Sequence, residues 1–178
     1  MEASLESRIA RIRFSVSPVG ADRIHYVNEA DVSIVLSRLP IELWDRLRAV
    51  HFNDRSRARI LGYVNRGHRE IAVCALPPRM SLRVRKPEEF GAQRGQKWSA
   101  LAVRRFVLYD VFLHELGHLQ VINQNGKSQR LKFAREKLAQ AFADEWRKRL
   151  WSTPFTHADP VHNPPGIQEL IMGRPLEI

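Results

Sequence analysis

The sequence contains one cysteine, Cys74, among its 178 residues. A lone cysteine cannot form a disulfide within the chain, which excludes the small disulfide-stabilised domains and favours a reducing compartment, the cytoplasm. Because Cys74 lies inside a β-rich stretch, we expect a buried structural thiol there. With 44% hydrophobic residues, the chain has enough apolar side chains to build a core without such bridges.

Long hydrophobic runs are also missing. No stretch approaches the roughly 18 consecutive apolar residues that a membrane-spanning helix requires. The first 14 residues carry two glutamates before the first arginine and lack the apolar segment of a secretory signal. The sequence therefore predicts no membrane association and no signal peptide.

Negative charge is scarce, since 19 Asp and Glu stand against 29 Lys and Arg, for a formal net charge of +10. A basic chain favours acidic partners such as nucleic acid or an acidic protein. The basic residues are scattered, however, and no block of five or more like charges occurs, which is equally typical of a solvated basic surface. Nucleic acid is therefore a candidate partner that the charge alone does not identify.

Patterns of apolar residues predict the first half of the fold. Alternation of apolar and polar residues predicts a strand over residues 12–16, and a short apolar run predicts a second strand over 32–36. Pro40 stands where a helix would begin, and apolar residues follow it at helical spacing as far as residue 50.

A β-hairpin is predicted next. Two β-rich stretches, residues 59–64 and 70–76, are joined by Asn-Arg-Gly-His at 65–68, a sequence typical of a tight connection. Alternation over residues 80–85 predicts a further strand at the sheet edge with a charged outer face.

Two long helices follow, over residues 99–122 and 128–151. Asn-Gln-Asn-Gly at 123–126 breaks the pattern between them, and Ser128 can cap the second helix. A chain reversal this short makes the two helices antiparallel neighbours.

The last residues are rich in proline and predict a mostly irregular tail, with one turn of helix around 168–172. We expect one α+β domain over residues 1–152 and a proline-rich tail over 153–178. The sequence predicts no oligomeric state.

The first long helix contains His-Glu-Leu-Gly-His at 114–118. His114 and His118 lie one turn apart on the same face, so both imidazoles can reach one ion, for which zinc is the expected metal. Glu115 between them is placed to take a proton from an activated water. Gly117 costs a helix about 1 kcal/mol relative to alanine, which close approach of another backbone or a substrate would explain. The alternative is a pair of core histidines with a chance glutamate.

Catalytic zinc usually has a third protein ligand, and the returning helix supplies a candidate. At about 1.5 Å of rise per residue, Glu136 lies at a height between His114 and His118, whereas Asp144 lies too far along the helix. The alternative for Glu136 is an exposed partner of neighbouring polar side chains on a charged helix.

The surroundings of Glu136 support this interpretation. Ala139 and Ala143 share its face of the helix, and small side chains there allow the two helices to approach closely. A packing surface is predicted on the adjoining face from Leu131, Leu138, Phe142 and Trp146.

Together the two stretches resemble a gluzincin metallopeptidase. His-Glu-Leu-Gly-His at 114–118, followed by Glu-Lys-Leu-Ala-Gln-Ala-Phe-Ala at 136–143, is similar to the minimal ImmA/IrrE-type peptidases, which pair HExGH with a later Glu-x-x-Ala-x-x-Phe-Ala. The resemblance covers about residues 99–150.

The resemblance implies zinc bound by His114, His118 and Glu136, with Glu115 as the general base of a zinc metallopeptidase. It also implies a zincin-like fold, in which a small antiparallel sheet packs on the metal-binding helix and on the antiparallel Glu-bearing helix. The edge strand of that sheet, from residues 59–85, would hold an extended peptide or protein substrate by β-augmentation.

Two further histidines, His157 and His162, lie in the tail. They could supply an imidazole that stabilises an oxyanion or a fourth ligand that keeps the site latent, or belong to a tail draped on the surface. The competing function, motivated by the charge, is a nucleic-acid-associated binding or regulatory protein that retains a zincin scaffold. The general base Glu115 favours the enzyme.

Overall fold

The structure is a computed structural model, which describes residues 4–55, 60–78, 82, 84–121, 127–153, 155 and 157–166. Its strands are β1 (Arg13–Val16), β2 (Ala49–Asn53), β3 (Gly62–Asn65) and β4 (Glu70–Cys74). Its α-helices are α1 (Leu5–Ile9), α2 (Glu29–Arg38), α3 (Ala100–Phe106), α4 (Leu113–Gln120) and α5 (Gln129–Ser152). A π-helical segment, Val107–Phe112, joins α3 to α4, and single 3₁₀ turns lie at Ile41–Leu43, Pro87–Phe90 and Pro160–His162.

The four strands form one sheet in the order β1-β2-β4-β3. The predicted α+β class is confirmed, but the predicted antiparallel sheet is wrong for two of the three pairings. Strands β1 and β2 pair in parallel, as do β2 and β4, and only β3 and β4 are antiparallel. Strand β3 therefore lies at one edge of the sheet.

The parallel pairing follows from a helix that the sequence analysis took for a strand. Residues 32–36 belong to α2, which buries Asp31, Val32, Val35 and Leu36 on one face at helical spacing. A short apolar run does not distinguish a buried helix from a buried strand. Because α2 crosses from the end of β1 to the start of β2, the two strands run in the same direction.

The helix predicted after Pro40 is also wrong. Only one 3₁₀ turn, Ile41–Leu43, forms there, and the chain then enters β2. Strand β2 has neighbours on both sides and buries Ala49, Val50 and Phe52. Residues 50–53 alternate between apolar and polar, but the run is short and directly follows apolar residues at helical spacing, which favoured a helix.

The predicted hairpin is confirmed as β3 and β4, with Gly62 opposite Val73 and Asn65 opposite Glu70. The further strand predicted over residues 80–85 is not seen at Leu82 or Val84, which belong to no strand, while residues 79–81 and 83 lie outside the described part of the chain.

Both long helices are confirmed within the described residues. The first runs from Ala100 to Gln120 with the π-helical segment in its middle, and the second is α5, which begins after Ser128 as predicted. The hydroxyl of Ser128 accepts a hydrogen bond from the backbone N–H of Leu131 at 3.3 Å. The predicted reversal at 123–126 lies outside the described residues.

The segment α3–α4 is the centre of the core. Its buried apolar side chains pack with those of α2, β2 and β4 in one cluster, and Cys74 in β4 is buried as predicted. None of the described helices combines the length and the apolar composition that crossing a lipid bilayer requires.

The described part of the predicted tail packs into the same core. Val161 and His162 are buried, and Arg105 donates hydrogen bonds to two tail carbonyl oxygens at 3.0 Å. Residues 157–166 are thus not merely draped on the surface. The helical turn predicted around 168–172 falls among residues 167–178, which the structure does not describe.

Helices α4 and α5 meet backbone to backbone at Gly117. A Cβ added to Gly117 would lie 3.0 Å from both the Cα and the carbonyl oxygen of Ala139, and 3.1 Å from the Cβ of Phe142. Because two of these neighbours are backbone atoms, the contact cannot be relieved by a side-chain rotation. The predicted close approach at this glycine is therefore made by the backbone of α5.

Replacing Gly117 by alanine should destabilise the protein although alanine is the better helix former. We expect a loss of about 1–3 kcal/mol in the free energy of unfolding from overpacking, which exceeds the propensity gain of about 1 kcal/mol. Thermal and urea unfolding measure it. Gly67→Ala is the matched control, since a Cβ there would meet only the Asn65 side chain, at 3.7 Å. Equal or higher stability of Gly117→Ala would contradict the packing.

Candidate metal centre

Three side chains from two helices converge at one point. The Nε2 atoms of His114 and His118 on α4 lie 3.1 Å apart. The carboxylate of Glu136 on α5 places Oε2 3.2 Å from His114 Nε2 and Oε1 3.5 Å from His118 Nε2. Among the described residues, this is the one group of three or more His, Cys, Asp or Glu side chains close enough to hold a metal ion.

The three separations are close to those between the ligands of a tetrahedral zinc ion. Zinc bound at roughly 2.0–2.2 Å from each ligand atom separates its ligands by roughly 3.3–3.6 Å. The two Nε2 atoms are 3.1 Å apart, and each lies 3.2 or 3.5 Å from one of the two Glu136 oxygens. Imidazole nitrogen and carboxylate oxygen are ordinary zinc ligands. The donors present therefore fit the metal in both chemistry and spacing.

Contacts along α4 and α5 run in opposite order, so the two helices are antiparallel as predicted. The π-helical segment before α4 contacts the far end of α5 through Asp110 and Arg147, and His118 contacts Glu136 near its start. Ala139 and Ala143 are fully buried between the helices, as predicted.

The packing surface predicted on the adjoining face of α5 is confirmed for two of its four residues and wrong for the other two. Leu131 and Leu138 are exposed, whereas Phe142 and Trp146 pack against the core.

The ring of His114 is held by a carboxamide from α5. Its Nδ1 lies 3.1 Å from Gln140 Oε1, while Gln140 Nε2 donates to Asp110 Oδ1 and to Asp144 Oδ1, each at 3.1 Å. Because the amide nitrogen donates to two carboxylates, the amide atom that faces His114 is the oxygen, which accepts a hydrogen bond. The proton of His114 is therefore on Nδ1, and the lone pair of Nε2 faces Glu136.

Arg147 forms ion pairs with the two carboxylates that hold Gln140. Its side chain is largely buried and contacts the carboxylates of Glu89, Asp110 and Asp144 at 2.7–2.8 Å. Burial raises the pKa of Asp110 above its usual value, and the Arg147 guanidinium opposes the rise. The ionised carboxylate that orients Gln140 thus depends on this arginine.

Glu115 lies between α4 and the edge strand β3, with only 7% of its surface exposed. A Cβ added to Gly62 in β3 would lie 3.2 Å from Glu115 Cγ and 2.9 Å from Val111 Cγ1, so a residue without a side chain is what lets the strand pack here. Burial raises the pKa of Glu115 to about 7, the charge of Glu136 adds to the rise, and Arg66 opposes it. A carboxyl group with a pKa near 7 can accept and return a proton at neutral pH.

An open cleft of about 650 Å³ brings these groups to one surface. One wall is α4 with His114, Glu115 and His118. The other is β3 together with Arg66, the first residue of the turn that follows β3. Since β3 lies at the sheet edge, its outer side has no strand partner among the described residues.

The tail histidines are not part of this group. The ring of His162 is buried, with Nδ1 2.9 Å from the hydroxyl of Tyr109 and Nε2 3.7 Å from Asp31. The ring of His157 packs against Phe155 and His162. The structure therefore does not bring either histidine to the three candidate metal ligands, and Tyr109 is a buried core residue.

Three residues of the site were missed in the sequence analysis. Gln140 lies one helical turn beyond Glu136, so its spacing was a usable signal. Gly62 and Arg66 belong to the hairpin, and nothing in their spacing from the motif indicates that the hairpin lies over α4.

Comparison of the chain with known protein families finds no matching family model, and comparisons with curated proteins and with solved structures find no match either. Function therefore has to be inferred from the geometry of the site.

The raised pKa of Glu115 predicts a pH-dependent stability of the metal-free protein. A carboxyl group whose pKa is raised by folding stabilises the fold fully below its unfolded value, here 4.5, and loses that contribution as the pH rises through about 7. Glu115→Gln should therefore match the wild type in Tm at pH 4.5 and exceed it by several degrees at pH 8, since 1 kcal/mol corresponds to about 2–4 °C in a chain of this size.

Calorimetry of chelator-treated protein at both pH values measures this difference. Glu145→Gln, on the exposed face of α5, should give the same difference from wild type at both. An equal gap at pH 4.5 and pH 8 for Glu115→Gln would contradict the buried carboxyl group.

Proposed function

We propose that this chain is a zinc-dependent metallopeptidase that hydrolyses peptide bonds. The observation that carries the proposal is the convergence of His114, His118 and Glu136 on one point beside a buried glutamate. The single cysteine is buried and unpaired, which favours action in a reducing compartment, the cytoplasm.

The three converging side chains would hold the ion. When bound, zinc supplies the Lewis acid that activates a water molecule and polarises the scissile carbonyl. The two imidazoles and one carboxylate leave the side towards the cleft for water and substrate, as catalytic zinc sites do.

Glu115 would move the proton. Its carboxylate faces the same cleft as the three ligands, so it can take a proton from the attacking water and return it to the leaving amine. In the metal-free protein, burial raises its pKa to about 7. The chain's own residues thus supply both the base and the acid of the reaction.

Strand β3 would hold the substrate. Its outer edge offers backbone N–H and C=O groups along the cleft from Gly62 to Asn65. An extended peptide can pair with such an edge, and the main-chain hydrogen bonds position its backbone independently of its sequence. The missing side chain at Gly62 keeps the strand close to Glu115, so a paired peptide lies near the general base.

Nucleic-acid binding stays a prediction from the charge alone. Two of the arginines, Arg105 and Arg147, are buried and occupied in internal contacts, so part of the +10 charge is structural. This does not favour the binding protein over the enzyme.

The purified full chain should contain one zinc ion per molecule and cleave members of a random-sequence peptide library. Glu115→Gln should keep the zinc and lose about 10²–10⁴-fold in cleavage rate, the usual contribution of a general acid-base, whereas Glu136→Ala should lose the zinc. Elemental analysis measures the zinc content, and mass spectrometry of the digested library measures the cleavage.

The exposed Glu145→Gln serves as the control and should match the wild type in both measurements. Cleavage that survives Glu115→Gln unchanged, or zinc that survives Glu136→Ala with full affinity, would refute the mechanism.

Gln140 should set the affinity for zinc through the ring of His114. Partners that orient a metal-binding histidine are typically worth 10–100-fold in metal affinity, so we expect a loss of that order in Gln140→Leu. Competition with a zinc-binding dye measures the affinities, and Gln129→Leu on the exposed first turn of α5 is the control. Unchanged affinity in Gln140→Leu would contradict the orienting role.

A further inference from the structure

Arg66 is a charged residue of the cleft to which the reaction gives no part. It is the first residue of the turn between β3 and β4, is half-buried, and lines the cleft opposite His118 and Glu115. Its charge reaches into the cleft, since it lowers the pKa of Glu115 against the effect of burial.

The guanidinium of Arg66 has no acidic partner among the described residues. Its one hydrogen-bond contact there joins Nη2 to His118 Nδ1 at 3.4 Å, whereas Arg104 and Arg147 each contact two or more carboxylates. An arginine carries five N–H donors. Most of the binding capacity of Arg66 is therefore unused by the described protein.

The single contact of Arg66 is also incompatible with a metal on His118. A neutral imidazole that offers Nε2 to a metal carries its proton on Nδ1, and His118 Nε2 is the atom that faces His114 and Glu136. Two donors, Arg66 Nη2 and His118 Nδ1–H, cannot share a hydrogen bond. In the zinc-loaded protein the guanidinium is thus available to another acceptor in the cleft.

The balance of charge in the cleft favours an anionic acceptor. The guanidinium of Arg66 keeps its charge at any ordinary pH, and no ion pair among the described residues compensates it. Its position at the end of β3 places it beside the edge on which an extended peptide would pair. Arginine binds carboxylates through two parallel hydrogen bonds, which adds geometric selectivity to the charge.

We infer that Arg66 recognises a carboxylate of the substrate and makes the enzyme selective for peptides that carry one close to the scissile bond. The carboxylate belongs either to an Asp or Glu side chain or to the free C-terminus of the peptide. This inference rests on the proposed peptidase function and adds its substrate class.

Peptide retention by an inactive protein tests the inference without relying on turnover. Zinc-loaded Glu115→Gln protein is incubated with random eight-residue peptides, made once with free and once with amidated C-termini, and retained peptides are sequenced by mass spectrometry. Enrichment of Asp or Glu at one position in both libraries identifies a side-chain carboxylate. Retention confined to the free-acid library identifies the C-terminal carboxylate. Either pattern supports the inference if adding Arg66→Gln to the Glu115→Gln protein abolishes the pattern.

The size of the effect is then measured as the Kd of the best retained peptide and of the same peptide with that carboxylate replaced by an amide. A hydrogen bond to a charged group is worth enough to change Kd about 10–100-fold. We expect Arg66→Gln to weaken the carboxylate peptide by that factor and the amide peptide by less than about threefold, with Arg66→Lys in between. Arg69→Gln is the matched control, because Arg69 lies on the same turn but does not line the cleft.

Several outcomes would overturn the inference. Retention without a carboxylate preference excludes it, as does a preference that survives Arg66→Gln. A loss of kcat in Arg66→Gln for all peptides, with binding unchanged, would assign the arginine to the transition state. Cleavage by the wild type without acidic preference refutes this inference alone, whereas absence of zinc or of any cleavage refutes the proposed function and the inference with it.

Discussion

The approach of α4 to α5 at Gly117 and Ala139 is the contact on which the candidate site depends. The two imidazoles and the carboxylate of Glu136 reach one point because the helix backbones touch there, with no room for one more Cβ. An added Cβ at position 117 would require the backbone of α5 at Ala139 to give by a few tenths of an ångström, which is comparable to the tolerance of a metal site. The packing of α4 against α5 therefore also determines the distances between the three candidate ligands.

Helix α5 and the π-helical segment before α4 carry charge into the core, and a network of polar contacts compensates for it. Asp110 and Arg147 form a largely buried ion pair, and breaking such a pair leaves an uncompensated charge that is strongly destabilising. Asp110 also accepts from the amide of Gln140, whose oxygen faces His114. The network thus satisfies buried groups and fixes a tautomer at once, so the stability of the fold and the readiness of the site are not independent. A substitution at Arg147 would disturb both.

Features that depend on local sequence were predictable, and features that depend on the packing of distant segments were not. The hairpin, the two long helices and the height of Glu136 follow from turn residues, periodicity and the helical rise. The character of residues 32–36 and the parallel pairing of β2 depend on which elements come to lie against each other, and a short apolar run carries no record of that. Arg66 was missed for the same reason, because its closeness to His118 arises only when the hairpin folds over α4.

The cost of the arrangement around Glu115 argues for chemistry rather than for a structural metal site. A structural zinc is closed by four protein ligands, whereas the described residues supply three, on the floor of an open cleft. A buried carboxyl group with its pKa raised to about 7 destabilises the fold at neutral pH, and an amide or an apolar side chain of similar size would avoid that cost. The edge strand has no side chain at Gly62, where it packs against Glu115. A protein that needed the metal only to hold its helices together would gain nothing from either residue, but a peptidase needs the base and the close strand together.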